Sequence, residues 1–163
     1  MRTWMNSAFA AAMTLFLAAA ASRAQAPLTP ASLSPCAWTP AEVEAALGLT
    51  VERREAADMK TVGGRDVGCV YTFRGSSIEI SIRQTWDPAN SGASPAAAEG
   101  ATSDRKAIAG DPDGAAWKTK RTDGPRLELT YSRGRVRTTV VARGGTFRDE
   151  EMQPRLLRLR RVP

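Results

Sequence analysis

The chain of 163 residues has no histidine, only two cysteines and an aromatic content of 6%. Without histidine, the protein has no Ser-His-Asp triad, no Cys-His pair and no histidine-ligated metal. Two cysteines are too few for a four-cysteine zinc site or a cysteine-ligated iron–sulfur cluster. We therefore expect no cofactor and no metal ion, and no motif for a nucleophilic enzyme is present.

Residues 1–26 have the organisation of an export signal. Arg2 supplies a positive start, and Ala8–Ala21 is an almost entirely apolar stretch. This stretch is too short to span a bilayer, which needs about 20 apolar residues. Ala24 and Ala26 form the small-x-small pattern after which signal peptidases cleave, so the mature chain is expected to begin at Pro27. We predict a periplasmic or secreted protein, for which nucleic acid is not an expected partner.

Two other fates of this N-terminus stay open, an uncleaved anchor and an acylated cysteine. The sequence Leu33-Ser34-Pro35-Cys36 resembles a bacterial lipoprotein cleavage site. However, Pro35 stands where a small flexible residue is expected, and Cys36 lies far downstream of the apolar stretch. Cleavage near Ala26 is the interpretation that the pattern favours.

Cys36 and Cys69 are the only cysteines, and both belong to the exported part. In an oxidising compartment a lone pair normally forms a disulfide. Closing this loop would stabilise the fold by about 4 kcal/mol in the chain-entropy treatment. A redox dithiol is the alternative, but redox pairs usually form C-x-x-C at a helix start. We predict a structural disulfide.

A short extended leader, residues 27–35, precedes a single domain over residues 36–163. Thr39, Pro40 and Glu42 form a capping box that predicts a helix over Ala41–Leu47, ended by Gly48. Period-two alternation of apolar residues predicts strands. The expected strands are Thr50–Glu55, 69–74, 78–83, Ala115–Arg121, 127–132 and Val136–Arg143.

The segments between the strands carry turn or loop signals. Ala56–Asp66, with its paired glycines, is predicted as a loop, and Asp87–Ser103 as a linker in which Pro95–Ala101 is a candidate middle helix. From Phe147 to the end, a helix is expected with Met152, Leu156 and Leu159 on one face. The fold class is thus α+β: an antiparallel sheet of about five to six strands, with the N-terminal helix, the candidate middle helix and the C-terminal helix packed on one face.

Several short motifs resemble those of the DUF3558-like small exported bacterial domains, many of which are lipoproteins. The resemblance lies mainly in residues 35–86, in Pro35-Cys36, Thr39–Val43, Leu47-Gly48 and Gly68–Tyr71. Weaker likeness continues to Val141, through Gly110-Asp111 and Ala115-Ala116-Trp117. The resemblance implies an envelope or secreted location and an α+β fold. It implies no activity and no catalytic residue, and this chain departs from those relatives by its missing lipoprotein site.

The outward positions of the predicted strands form a polar face, which is the first candidate site. Such a face would bind an anionic or peptide ligand, or would be a solvated surface whose ion pairs contribute little. Its residues are Thr72, Arg74, Glu79, Arg83, Glu128, Thr130, Arg137 and Thr139.

Three further patterns have a functional and a plain structural interpretation. Asp111-Pro112-Asp113-Gly114 resembles the start of a calcium loop without its bidentate glutamate, and turn chemistry explains it equally well. Carboxylates could form an acid–base pair, although no spacing selects one; the available residues are Glu52, Glu55, Glu79, Asp104, Asp111 and Glu128. A basic C-terminal helix would contact an anionic membrane or be a packed helix with a solvated basic face; its arginines are Arg155, Arg158, Arg160 and Arg161.

Trp38 and Trp117 are expected in the core, and Trp86 either in the core or beside a groove at the linker. Taken together, the sequence favours an exported, non-catalytic binding or interaction module of the bacterial envelope. Its partner would be an unknown envelope protein or small ligand. The alternatives are a small periplasmic hydrolase using a carboxylate pair and a membrane-peripheral protein docking through the basic C-terminal helix.

Overall fold

The computed structural model describes residues 32–61, 64–86, 105–120, 122 and 124–159. The predicted export signal (residues 1–26), the predicted linker Asp87–Ser103 and the candidate helix Pro95–Ala101 lie outside the described residues. The elements follow one another as α1 (Pro40–Leu47), β1 (Val51–Thr61), β2 (Gly64–Phe73), β3 (Ser76–Trp86), β4 (Arg105–Ala107), β5 (Ala116–Lys120), β6 (Arg126–Arg133), β7 (Val136–Arg143) and α2 (Asp149–Leu159).

The strands form one antiparallel sheet in the order β1-β2-β3-β7-β6-β5-β4. Two meanders, β1–β3 and β4–β7, meet where β3 pairs with β7. The α+β class with an antiparallel sheet is therefore confirmed. The described part contains seven strands instead of five to six, because the three-residue strand β4 was not predicted.

Both helices pack on the same face of the sheet, here called the helical face. α1 buries Val43, Ala46 and Leu47 there, and α2 buries Met152, Leu156 and Leu159. α2 contacts both α1 and β6. Beneath the helices, alternate strand residues complete the core. The largest fully buried side chains among these strand residues are those of Tyr71, Phe73, Ile80, Leu127, Leu129 and Tyr131.

The prediction of a loop over Ala56–Asp66 is wrong. β1 continues to Thr61, and β2 already begins at Gly64. β1 is an edge strand, and residues 52–58 are exposed with charged side chains on both of its faces. Charges on an edge strand discourage pairing with other chains. They also remove the alternation from which a strand is recognised, while the ladder to β2 holds the backbone in place.

The capping box at the start of α1 is confirmed. The Thr39 hydroxyl accepts a hydrogen bond from the Glu42 N–H at 3.3 Å, and a Glu42 carboxylate oxygen accepts one from the Thr39 N–H at 2.7 Å. Gly48 ends the helix with a φ of 69°, a conformation that glycine adopts without a steric penalty. The Glu44 carboxylate then accepts a hydrogen bond from the Val51 N–H, so α1 is tied to the start of β1.

Cys36 and Cys69 form the predicted disulfide, which joins the segment before α1 to the centre of β2. Close to it, the Trp38 indole N–H donates to the Leu159 carbonyl at 2.8 Å. The Tyr71 hydroxyl donates to the Trp38 carbonyl at 2.6 Å. The N-terminal segment, β2 and the end of α2 are therefore held together at one buried junction, here called the Trp38 junction.

Part of the predicted leader packs on the domain. Leu33 is buried in a small second cluster with Val67 and Val136, against which Trp86 also packs. Trp86 is thus half-buried in this cluster instead of standing free beside a groove. Trp38 and Trp117 lie in the main core, as predicted.

Candidate functional site

The face of the sheet opposite the helices, here called the polar face, brings together most of the predicted ligand residues. Cross-strand pairing places Arg83 opposite Thr139, and Thr139 opposite Thr130. In the same way, Thr85 lies opposite Arg137. Seven of the eight predicted residues alternate with core residues along β2, β3, β6 and β7 and so share this face. They are Thr72, Glu79, Arg83, Glu128, Thr130, Arg137 and Thr139.

Arg74 does not belong to the polar face. It lies in the tight turn between β2 and β3, beside Gly75, and is exposed. The strand predicted over residues 69–74 ends one residue earlier, at Phe73, and β3 already begins at Ser76. The strand alternation that would have aimed the Arg74 side chain ends at Phe73.

A concavity of about 470 Å³ occupies the centre of the polar face. Its uncharged lining consists of small and medium-sized side chains, namely Ser81, Thr85, Thr130, Thr139 and Val141. Its charged lining consists of Arg83, Arg105, Arg126, Arg137 and Glu128. Short side chains at central positions of the sheet, with long arginines around them, give the face its hollow. The volume is in the range of small-molecule sites.

Arg83 is held in place by a buried carboxylate at the margin of the concavity. Its Nε donates to Asp66 Oδ1 and Oδ2 at 2.7 Å and 2.9 Å, and its Nη2 also donates to Oδ2. The Thr85 hydroxyl donates to Asp66 Oδ1 at 3.2 Å. The Asp66 side chain is only 7% exposed, whereas that of Arg83 is 61% exposed. Chiefly through its hydrogen bonds, Asp66 raises the pKa of the Arg83 guanidinium, which stays charged.

The other carboxylates of the polar face are also bound by arginines. Arg126 Nη2 donates to Glu128 Oε2 at 3.3 Å, and the Thr130 hydroxyl donates to Glu128 Oε1 at the same distance. Arg143 Nε donates to Glu79 at 2.7 Å, beside a neighbouring concavity of about 380 Å³. Glu79 and Glu128 therefore line different hollows, one carboxylate in each, among the described lining residues.

The remaining carboxylates considered from the sequence lie elsewhere. Glu52 and Glu55 are exposed on edge strand β1, where Glu55 pairs with Arg53. Asp111 belongs to the loop before β5, and Asp104 lies outside the described residues. Neither of the two hollows on the polar face brings two of these candidate acids together among its described lining residues.

The segment Asp111–Gly114 is a turn held by its own side chains. Asp111 Oδ1 accepts hydrogen bonds from the Asp113 N–H at 2.9 Å and the Ala115 N–H at 3.1 Å. Asp113 Oδ2 accepts one from Arg133 Nε at 2.9 Å. These contacts favour the turn interpretation over a calcium loop. Over the described residues, no three potential metal-ligating side chains are grouped.

The C-terminal helix uses its apolar face for the core, so that face is not available to a membrane. Arg155 is half-buried and Arg158 exposed, whereas Arg160 and Arg161 lie outside the described residues. The first turn of the helix carries three acidic residues, so its exposed surface has mixed charge. Neither described helix has the length and hydrophobicity to cross a bilayer.

Sequence reasoning missed several residues of the polar-face concavity. Asp66 was assigned to a loop, although it shares the alternation of Gly68, Val70 and Thr72 along β2. Arg126 comes one residue before the strand predicted over residues 127–132, and extending the same alternation would have found it. Arg105 gave no signal, because a three-residue strand is too short to show a period.

No protein-family model, no curated protein and no solved structure matches this chain. The resemblance to the DUF3558-like domains therefore stays a prediction from short motifs. Interpretation of function depends on the polar face itself.

Proposed function

We propose that this protein is an exported, non-catalytic binding module of the bacterial cell envelope, similar to DUF3558-like domains, and that its ligand occupies the concavity on the polar face. The observation that carries the proposal is the hollow of about 470 Å³ built on the rigid centre of the sheet. β3, β7 and β6 supply its floor, and each is paired on both sides. A site on central strands holds its side chains more firmly than a site on loops.

The contacts of the carboxylates support binding over carboxylate-pair hydrolysis. A general acid and base must both reach one reacting group. Here Glu128 is bridged to Arg126, and Glu79 to Arg143, in separate hollows. These carboxylates orient arginines, which is a role suited to recognition.

The disulfide and the apolar N-terminal stretch support the location. A bond between Cys36 and Cys69 persists in oxidising compartments such as the periplasm. Cys69 is buried in the core beside the Trp38 junction, where the bond stabilises the fold. That setting suits a structural disulfide in an exported domain.

Native mass spectrometry of the protein purified from its own envelope and medium tests the proposal. Thr139→Trp would fill the floor of the concavity, and Thr72→Trp places the same side chain on the same face outside its lining. A bound molecule should accompany the wild type and Thr72→Trp but not Thr139→Trp. The bare chain should begin at Pro27 and be two hydrogens lighter than the dithiol.

Three other results of the mass spectrometry would each contradict a different part of the proposal. A molecule retained by Thr139→Trp would place the ligand elsewhere on the protein. A bare chain in every preparation would argue against a binding module, and an acylated Cys36 would contradict both the predicted cleavage and the disulfide. Circular dichroism on both variants establishes that the fold survives the added bulk.

A further inference from the structure

The concavity on the polar face has an excess of positive charge. Its described lining contains four guanidinium groups and a single carboxylate. Even when the nearby Asp66 is counted with Arg83, the positive groups outnumber the negative ones. A hollow lined by four guanidinium groups attracts an anionic ligand, even though Arg83 and Arg126 are each paired with a carboxylate. Guanidinium groups also match oxyanions through paired N–H donors.

Arg83 is preorganised to donate to a ligand. Asp66 takes its Nε–H and one Nη2 hydrogen. A guanidinium has five N–H donors, so three hydrogens on Arg83 point away from Asp66. Because the side chain is held at one edge and exposed elsewhere, little conformational entropy is lost when a ligand binds.

Arg83 and Arg137 form a two-arginine clamp across β3 and β7. Arg83 lies opposite Thr139, and Arg137 is two residues before Thr139 on the same strand and face. Such diagonal neighbours are about 7–8 Å apart at their Cα atoms, within reach of long side chains. One carboxylate offers two oxygens to a single fork, whereas a phosphate monoester offers three oxygens and nearly two negative charges. A phosphate therefore satisfies two arginines better.

The floor beside this clamp adds hydroxyl groups. Thr85, Thr139, Thr130 and Ser81 line it, and their hydroxyls can both donate and accept. Ser132, the next residue on this face of β6, is buried, and its hydroxyl oxygen has no hydrogen-bond partner in the described structure. The space and the hydroxyls suit a phosphorylated polar molecule the size of a sugar phosphate.

Resting on the proposed function, we propose that the ligand carries a phosphate group, bound between Arg83 and Arg137 on the threonine floor of the concavity. Asp66 is a positioning residue, because it acts through Arg83. The phosphate belongs either to a soluble phosphorylated molecule or to a lipid headgroup, and the recognition chemistry is the same.

Titration of the purified, disulfide-bonded protein with glucose 1-phosphate, followed by ¹H–¹⁵N NMR, tests this inference. The amide signals of Thr85, Thr130 and Thr139 should shift, and glucose should not shift them. Arg83→Gln and Arg137→Gln should each weaken binding about tenfold or more, as expected for loss of a charge-assisted hydrogen bond. Arg65→Gln is the matched control. Arg65 is also bound to an aspartate, Asp58, but it is the neighbour of Asp66 in β2 and therefore lies on the opposite face of the sheet.

Asp66→Asn separates positioning from a structural effect. It should weaken glucose 1-phosphate binding by about threefold to tenfold, less than Arg83→Gln, because the guanidinium remains. The Arg83 Nε–H signal should move in the free protein, which a general loss of stability would not produce. Unchanged affinity in Arg83→Gln and Arg137→Gln would overturn the inference.

A lipid arm and a neutral arm complete the test. Flotation with phosphatidylglycerol vesicles, but no response to glucose 1-phosphate, would assign the phosphate to a headgroup, provided Arg83→Gln abolishes flotation. Equal shifts by glucose and glucose 1-phosphate would overturn the phosphate assignment while leaving a binding module. If neither glucose 1-phosphate nor the vesicles bind, and native mass spectrometry finds a neutral molecule on the protein, the phosphate assignment is likewise overturned.

Discussion

The two faces of this sheet are built from the same strands and have opposite chemistry. On the helical face, β2, β3, β6 and β7 place large apolar side chains against α1 and α2. On the polar face, the alternate residues are small, hydroxylated or charged, and several charges are paired, Arg83 with Asp66 across two strands and Arg126 with Glu128 along one strand. Because successive side chains of a strand point to opposite sides, the same strand can supply apolar residues to the core and polar residues to the opposite face.

The difference indicates how stability and recognition are divided in this protein. Burial of apolar surface on the helical face supplies most of the favourable free energy of folding. The backbone ladders that support this core also fix the positions of the polar-face side chains. Substitutions on the polar face are therefore expected to alter binding more than folding, and substitutions on the helical face the reverse.

The largest expected effect comes from breaking the Trp38 junction on the helical face. Trp38 is 2% exposed, donates to the Leu159 carbonyl and accepts from the Tyr71 hydroxyl through its own carbonyl. Trp38→Ala should lower the free energy of unfolding by about 3–5 kcal/mol, because it leaves a large cavity. Urea denaturation measures the loss. Trp38→Phe keeps one aromatic ring but removes the N–H donor and part of the volume, so it should cost less, about 2 kcal/mol. Equal losses in the two variants would show that the volume kept by phenylalanine contributes little to stability.

A sharper comparison uses two adjacent valines of β7. Val140 lies in the helical-face core, and Val141 is buried on the polar face at the edge of the concavity. Val140→Ala should cost about 2–3 kcal/mol, because it opens a cavity among packed apolar groups. Val141→Ala should cost less than about 1 kcal/mol, since Val141 lines the open concavity and its truncation enlarges a space that solvent already reaches. Denaturation of both variants under one condition decides this, and similar losses would mean that the polar face contributes to the core.

Alkaline pH weakens the helical face through Tyr71. Burial, reinforced by the charge of Glu42, raises the pKa of Tyr71 to about 12 from its usual value of 10.0. The unfolded chain therefore loses this proton before the folded chain does. The contribution of neutral Tyr71 to stability is complete below about pH 10 and is lost as the pH rises towards 12, by roughly 2 kcal/mol. Stability measured from pH 9 to 12 should fall more steeply in the wild type than in Tyr71→Phe. Parallel curves would contradict this role.

The strands and site residues that could be predicted from the sequence are those in segments with a clear alternation of apolar and polar residues. The Ile78, Ile80 and Ile82 strand and the capped helix α1 carry strong local signals, and the structure has both. β1 carries charges on both faces, so its second half looked like a loop although its backbone pairs with β2. Because Asp66 was placed in that predicted loop, it was not recognised as a residue of the polar face. Its pairing with Arg83 arises from the register between β2 and β3, which no local pattern contains.

Effects smaller than those of Trp38→Ala and Val140→Ala are expected for the arginine–carboxylate pairs of the polar face, and they are unequal within one pair. Arg83→Ala leaves the Asp66 carboxylate buried with the Thr85 hydroxyl as its described side-chain donor. Leaving a buried charge without its partner is costly, so the loss should be about 2 kcal/mol. Asp66→Asn leaves Arg83 exposed to water and should cost only about 1 kcal/mol. Thermal denaturation of the two variants compares them directly, and a larger loss for Asp66→Asn would reverse the assignment of which partner is buried.

The Arg148–Glu151 pair on the outer surface of α2 is the control for this inequality. Its hydrogen bond to Arg148 lowers the pKa of Glu151, but both side chains are largely exposed. A lowered pKa means that the pair's contribution to stability is complete above the usual glutamate pKa and is lost as the pH falls from there through the lower pKa of the folded state. Glu151→Gln should therefore leave the melting temperature at pH 7 nearly unchanged, because water screens exposed ion pairs. A shift as large as that of Arg83→Ala would mean that pairing itself stabilises this protein, and the burial of Asp66 would no longer distinguish the polar-face pair from an ordinary surface pair.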